Sequence, residues 1–203
     1  MKERKVLTTK NIAVIGMLGG VAGVLMLFEI PLAFIAPPFY GLDFSEIPVL
    51  IGTFALGPVA GVLIELVKIF VKLLFKPTTT GFVGEFANFV IGCSLLLPAG
   101  IIYQRKKTRG GAIAGMLAGT ITISVVGAVV NALVMLPFYS KFMPLDDIIA
   151  AGAEIQSGVN SIWTFAIICV APFNFLKGAA TSVATGLIYK RISKEIHRIG
   201  RKE

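Results

Sequence analysis

Long apolar runs dominate the chain, and short stretches rich in glycine, proline and charge punctuate them. Runs near 20 residues suit helices crossing a ~30 Å hydrocarbon core. They predict helices at about 11–31, 46–57, 58–75, 86–103, 110–137 and 172–191. The ambiguous place is 45–75, where ALGPVAG interrupts the pattern. Ser45 is a favourable N-cap, and Pro48 then falls in the first turn, where a missing N–H does no harm. Gly57-Pro58 supplies a stop and a restart, so a helix of only ~18 Å precedes a longer one. The stretch SIWTFAIICVAP ahead of Pro172 reads as a re-entrant or capping piece, or as part of a last helix kinked at Pro172. A helix restarting at Pro172 is the preferred reading, because 172–191 alone matches one membrane thickness.

Charge placement decides between one helix and two over 45–75. With six spans and an inner N-terminus, three basic groups share the inner side. They are Lys2, Arg4, Lys5 and Lys10, then Arg105, Lys106, Lys107 and Arg109, then Lys190, Arg191, Lys194, Arg198, Arg201 and Lys202. Only Lys76 and Lys141 remain outside. One merged helix would scatter these groups over both sides, against the positive-inside rule. The expectation is therefore an all-α integral membrane protein, one six-helix domain over 1–203. Both termini are cytoplasmic, and long outer loops follow helices 1 and 5. The run after the basic start MKERKVLTTKN has no small-residue cleavage site, so a retained first helix is expected rather than a signal peptide.

Composition agrees. The 203 residues are 56% hydrophobic and 15% charged, and the mean hydropathy is +0.86. The net charge of +8 is accounted for by orientation signals and does not call for nucleic acid. Cys93 and Cys169 lie in apolar runs without a CxxC or histidine partner and read as packing residues. No GxxxxGK[ST], HExxH or GxSxG occurs, and the only histidine, His197, is in the tail. Nucleotide binding, metalloenzyme and serine hydrolase chemistry thus have little to stand on, and no metal is expected.

Polar residues inside the apolar runs are the candidates for function, because they are costly there. In the third helix Glu65, Lys68 and Lys72 share a face; Glu65 with Lys68 reads as an internal ion pair, and Lys72 as snorkelling to the outer end. GEFANF opens the fourth helix with Glu85 and Asn88 at i, i+3; Glu85 either serves the helix N-terminus or joins Asn88 at a ligand. Asn131 lies near the outer end of the fifth helix. PFNFLKG places Asn174 and Lys177 on one face of the last, with no carboxylate at i±4 of the lysine. Asn131, Asn174, Lys177 and the start of the fourth helix fall at one depth, under the outer loop PPFYGLDFSEIP. In the first helix Gly16/Gly20 and Gly19/Gly23 form overlapping small-xxx-small pairs, suited either to internal packing or to docking a partner helix.

A six-helix chain of this size, with LDFSEIP after the first helix, GEFANF opening the fourth and PFNFLKG opening the last, resembles the S components of energy-coupling factor (ECF) vitamin transporters. The likeness covers essentially the whole chain and is strongest to the riboflavin-specific branch. It implies a multi-pass subunit of a prokaryotic cytoplasmic membrane, not an enzyme. Such a subunit captures a vitamin from outside and works with a transmembrane T component and two ABC-type ATPases. It also implies that Leu42 and its neighbours Asp43, Phe44 and Glu46, together with Asn131, Asn174 and Lys177, contact flavin, with Glu85 and Asn88 matched more loosely. In many relatives an AxxxA pattern on the first helix docks the T component. Here Met17 stands four after Ala13, and Gly16, Gly19, Gly20 and Gly23 take that place. Riboflavin is then the transported ligand rather than a cofactor, with flavin mononucleotide (FMN) admissible if Lys72 or Lys76 is near. Asparagine amides and an ammonium answer the alternating acceptors and donor of the isoalloxazine edge. Phe39, Tyr40 and Phe44 offer aromatic walls, and Glu46, Asn88 and Thr78–Thr80 suit the ribityl hydroxyls. Without the resemblance, another vitamin or heterocycle, a membrane enzyme acting on lipid, or a scaffold subunit remains open.

Overall fold

The computed structural model describes residues 8–37 and 40–199, with side chains described to residue 188. It is helical apart from one short ribbon. Helix α1 (Thr9–Leu25) is capped by the Thr8 hydroxyl, which accepts from the Asn11 N–H. It ends six residues earlier than the apolar pattern predicts. The chain instead turns into a two-stranded antiparallel ribbon, β1 (Ile30–Pro31) with β2 (Gly41–Leu42), pairing Ile30 with Leu42 and Pro31 with Gly41. An apolar run closed by Pro31 suits an extended strand as well as a helix end. Gly41 is required by proximity: a Cβ there would come 2.6 Å from the Glu29 Cβ.

Helices α2 (Glu46–Leu56) and α3 (Pro58–Phe75) are separate, as the Gly-Pro signal predicts. Gly57 joins them at φ 106°, a conformation natural to glycine, and Pro58 occupies the first turn of α3. Helix α4 (Val83–Arg105) and α5 (Arg109–Val130) form an antiparallel hairpin with extensive contact. A π-helical turn (Asn131–Met135) carries α5 directly into α6 (Leu136–Tyr139). After α7 (Leu145–Ala153), α8 (Ile162–Phe165) passes through a second π-helical turn (Ala166–Val170) into α9 (Ala171–Ile199).

Pro172 therefore does not restart a helix; the last helix runs through it. Each π-helical turn stands just before a proline, Pro137 or Pro172. The wider turn accommodates residues lacking an N–H. Among the described residues three helices are long and apolar enough to cross a membrane: Val83–Arg105, Arg109–Tyr139 and Ile162–Ile188. Thr9–Leu25 and Glu46–Leu56 are shorter apolar helices. Large side chains such as Met17, Phe70, Leu117 and Leu187 are exposed, the surface expected against lipid.

Two apolar cores divide the molecule. One gathers Ile15, Leu50, Ile64, Leu95 and Ile123 from α1 to α5. The other gathers Leu42, Leu136, Ile148, Phe165 and Phe173, so the ribbon is anchored against the later helices. The glycine stripe of α1 divides as well. A Cβ at Gly19 or Gly23 would come 2.5 Å from Val67 or Val71 of α3, whereas at Gly16 or Gly20 it would meet nothing within 4 Å among the described residues. Gly19 and Gly23 thus serve close packing within the fold.

A candidate substrate cavity

The two cores meet at a cavity of about 180 Å³. Its polar lining comes from distant parts of the chain: Asp43 and Glu46 around the start of α2, Asn88 on α4, Asn131 in the first π-helical turn, and Asn174 and Lys177 on α9. The structure thus brings together six of the nine residues expected to contact a ligand. Leu42, Phe44 and Glu85 are not in the lining. Leu42 packs into the second core, and Phe44 is partly exposed at the surface. The Glu85 carboxylate is taken by Lys72, Thr78 and Thr80, at 2.8, 2.8 and 3.2 Å. Lys72 therefore holds an ion pair instead of snorkelling. Phe39 lies outside the described residues.

The loop before α2 supplies counter-groups to the deepest polar side chains. Lys177 Nζ donates to Asp43 Oδ2 at 2.8 Å, and both residues are buried. Asp43 Oδ1 accepts the Ser45 N–H at 2.8 Å, which fixes the turn into α2. Burial alone would favour the neutral acid, but the Lys177 ammonium outweighs it and holds the Asp43 carboxyl low, at about 2. The carboxylate that the lysine lacks at i±4 is 134 residues away in the sequence.

Tyr40 makes the second such link. Its hydroxyl donates to Asn131 Oδ1 at 2.7 Å, and its ring lies 5.6 Å from that of Phe173 and 6.3 Å from Phe165. Burial pushes the phenol well above its usual range, so it remains a donor. Both asparagines turn their amide NH₂ back onto their own helices: Asn131 Nδ2 to Gly127 O at 2.8 Å, Asn174 Nδ2 to Val170 O at 3.0 Å. The Asn174 carbonyl oxygen is thereby turned to accept from a partner, and Asn131 Oδ1 keeps one lone pair beside the Tyr40 bond. Gly127 also lets α9 approach, since a Cβ there would come 2.6 Å from Asn174 Nδ2.

Beneath the cavity is a fully buried charge cluster. Lys68 Nζ donates to Glu46 Oε1 at 2.7 Å and lies 2.6 Å from Glu65 Oε1. The expected Glu65–Lys68 contact exists, but Glu46 belongs to it too and is more than a helix-start acid. Among the described residues Glu46 Oε2 has no hydrogen-bond partner, while its residue lines the cavity. It is an acceptor without a donor, a costly thing to bury.

Several lining residues escape the sequence reading, among them Glu29, Met135, Tyr139 and Phe173. The signal for Phe173 and Tyr139 was their place in PFNFLKG and PFY, beside candidates already chosen. Glu29 was hidden by the expectation that α1 runs to residue 31. It pairs loosely with Lys76 at 3.5 Å on the exposed rim.

Such a site, with apolar and aromatic walls and a few convergent polar groups, suits binding of a small molecule. Among the described residues no cluster of His, Cys, Asp or Glu is arranged to hold a metal. Known proteins narrow the choice. A family model described as the substrate-specific component of ECF transporters matches residues 10–189. The riboflavin transporter RibU of Staphylococcus aureus (strain TCH60) is 36% identical over 190 residues, covering 94% of each chain. The riboflavin transporter FmnP of Bacillus subtilis (strain 168) is 27% identical over 193 residues, 93% of this chain and 95% of its own. A solved structure, described as the S component of a bacterial ECF transporter, aligns with a TM-score of 0.70 at 35% identity, over 91% of this chain and 96% of that one. With a family model spanning most of its length, the chain belongs to the substrate-specific components of ECF transporters.

Proposed function

We propose that this chain captures riboflavin at the outer face of the membrane for uptake driven by partner subunits. The reading rests on the convergence of Asn131, Asn174, Lys177, Asp43, Glu46 and Asn88 on one cavity. It is supported by a relative named as a riboflavin transporter at 36% identity over nearly the whole chain. The family is one of transport subunits, not enzymes. Six spans with both termini cytoplasmic remain the arrangement that the basic residues favour, and they place the cavity in the outer half.

The asparagine carbonyl oxygens suit the one N–H of the isoalloxazine edge, and Lys177 suits its carbonyl oxygens. Phe173 and Tyr40 supply aromatic faces, and Glu46 Oε2 is left for a ribityl hydroxyl. At about 180 Å³ the cavity is smaller than the ~300 Å³ or more usual for ligands of this size. Glu29 and the residues from Tyr40 to Phe44 then act as a lid that must shift on loading. The anionic phosphate of FMN finds little support: Lys68, Lys72 and Lys177 each hold a carboxylate already, and Asp43 and Glu46 repel it. Riboflavin is the preferred ligand, and FMN binds more weakly.

The T component and two ABC-type ATPases remain the partners of choice, with Ala13, Gly16 and Gly20 on the open face of α1 as the contact. Purification in detergent followed by flavin absorbance and fluorescence quenching tests the ligand. Riboflavin should quench more tightly than FMN; a colourless protein that quenches neither flavin overturns the reading. Gly16→Leu should leave quenching intact and reduce co-purification of the ATPases. Undiminished co-purification would remove α1 from the contact.

A further inference from the structure

Helices α5 and α9 touch closely at mid-length and part towards the α4–α5 connection. At Gly178 a Cβ would meet Ile123 Cγ2 at 2.9 Å and Thr120 Cα at 3.2 Å. Nearby, Thr120 and Ser182 share a hydrogen bond of 3.1 Å. Two turns on, a Cβ at Gly186 would meet, among the described residues, only the Met116 methyl, at 3.7 Å. The helices thereby open a wedge of about 200 Å³, with Ile113 and Met116 on one wall, Val183, Gly186 and Leu187 on the other, and Arg109 at its mouth. Ile113, Val183 and Leu187 are all more than half exposed, so the wedge faces whatever surrounds the bundle.

Its mouth has the opposite chemistry. Arg105, Lys106, Lys107 and Arg109 fall within five residues and are all exposed. Among the described residues none of them pairs with a carboxylate. The sequence of α9 continues beyond Leu187 with Lys190, Arg191 and Lys194. Orientation in the membrane accounts for cations on this side, but not for an apolar cleft that opens directly beneath them.

We infer that the wedge holds one acyl chain of an anionic glycerophospholipid, whose headgroup phosphate sits on Arg109 and its neighbours. The first-turn N–H groups of α5 add partial positive charge at the same level. Met116 lies seven residues along α5 from Arg109, ~10 Å at 1.5 Å per residue, a spacing that fits a headgroup above and the upper chain below. Cationic pockets between membrane helices suit anionic headgroups, whereas a zwitterionic lipid would bring its own cation into the cluster. The site is separate from the substrate cavity and does not depend on what fills it.

Native mass spectrometry of the full-length protein, released from detergent after incubation with phosphatidylglycerol or phosphatidylcholine of the same chains, tests this. The parent should retain phosphatidylglycerol in preference. Arg109→Ala should lower that retention about fivefold, the effect of one cation near a lipid surface. Gly186→Leu fills the wedge and leaves every cation in place, and it should lower retention as well. Thermal unfolding identifies any variant that has lost its fold, and Val183→Trp then serves as a second way to fill the wedge. Equal retention of the two lipids by the parent overturns the assignment. So does a preference that survives filling of the wedge, since diffuse charge would then suffice. If the variants spare lipid retention and instead weaken assembly with a membrane partner, the wedge is a protein contact and the lipid assignment falls.

Discussion

Lys68 and Lys177 are both buried lysines holding carboxylates at under 3 Å, but their partners are anchored differently. Lys68 joins Glu46 and Glu65, on two helices tied by the tight Gly57 turn. Lys177 reaches Asp43, on the loop between the ribbon and α2. Separating a buried pair is costly mainly when the charges stay out of water. Moving the loop would return Asp43 and Lys177 to solvent and restore their hydration. No comparable motion hydrates Lys68 without dismantling α2 against α3. The same chemistry is thus a fixed strut in one place and a latch in the other.

Lys68→Met should have the largest effect. It leaves Glu46 and Glu65 buried without a cation, with an expected loss of ~3–5 kcal/mol read by thermal unfolding in detergent. A melting curve matching the parent would mean that the cluster is not a strut. Lys177→Ala should act on affinity more than on stability. Flavin quenching is expected to weaken by ~1–3 kcal/mol, with a much smaller shift in melting than Lys68→Met. Asn131→Ala belongs in the same range, and if both variants bind flavin like the parent, the cavity is not the flavin site. Tyr40→Phe should be mildest and opposite in sign. It removes the neutral hydrogen bond that competes for Asn131 Oδ1, so riboflavin should bind tighter by ~0.5–1.5 kcal/mol. Weaker binding would show that the Tyr40 hydroxyl serves the ligand and not the closed loop.

Much of this arrangement is legible along the chain. Asparagines and a lysine in apolar helices cost enough to mark themselves, and their common depth follows from counting residues. The break at Gly57-Pro58 is equally local. What stays hidden is pairing across distance. Nothing near Lys177 names Asp43, and nothing in the i, i+3 spacing of Glu65 and Lys68 announces Glu46. Lys72 reads as snorkelling until the turn after α3 brings Glu85 to it. Pro172 reads as a helix start because a proline's missing N–H is most simply excused there; a π-helical turn excuses it elsewhere. The glycines of α1 show a periodicity but not which half of it is already covered by α3.

That division of α1 has a thermodynamic consequence. Helix α3 is tied to the cavity through Lys68, which holds the lining residue Glu46, and it presses Val67 and Val71 against Gly19 and Gly23. The open glycines at 16 and 20 lie on the adjoining face of α1, about 60° round the helix at 100° per residue. Occupants of the cavity and of that open face therefore act on one shared body. Whatever factor a bound ligand applies to the affinity for a partner on α1, the partner must apply to the affinity for ligand. A subunit that docks more tightly when loaded is, by the same equality, one that holds its cargo more tightly when docked. Unloading then requires that the docked protein be driven into a different conformation.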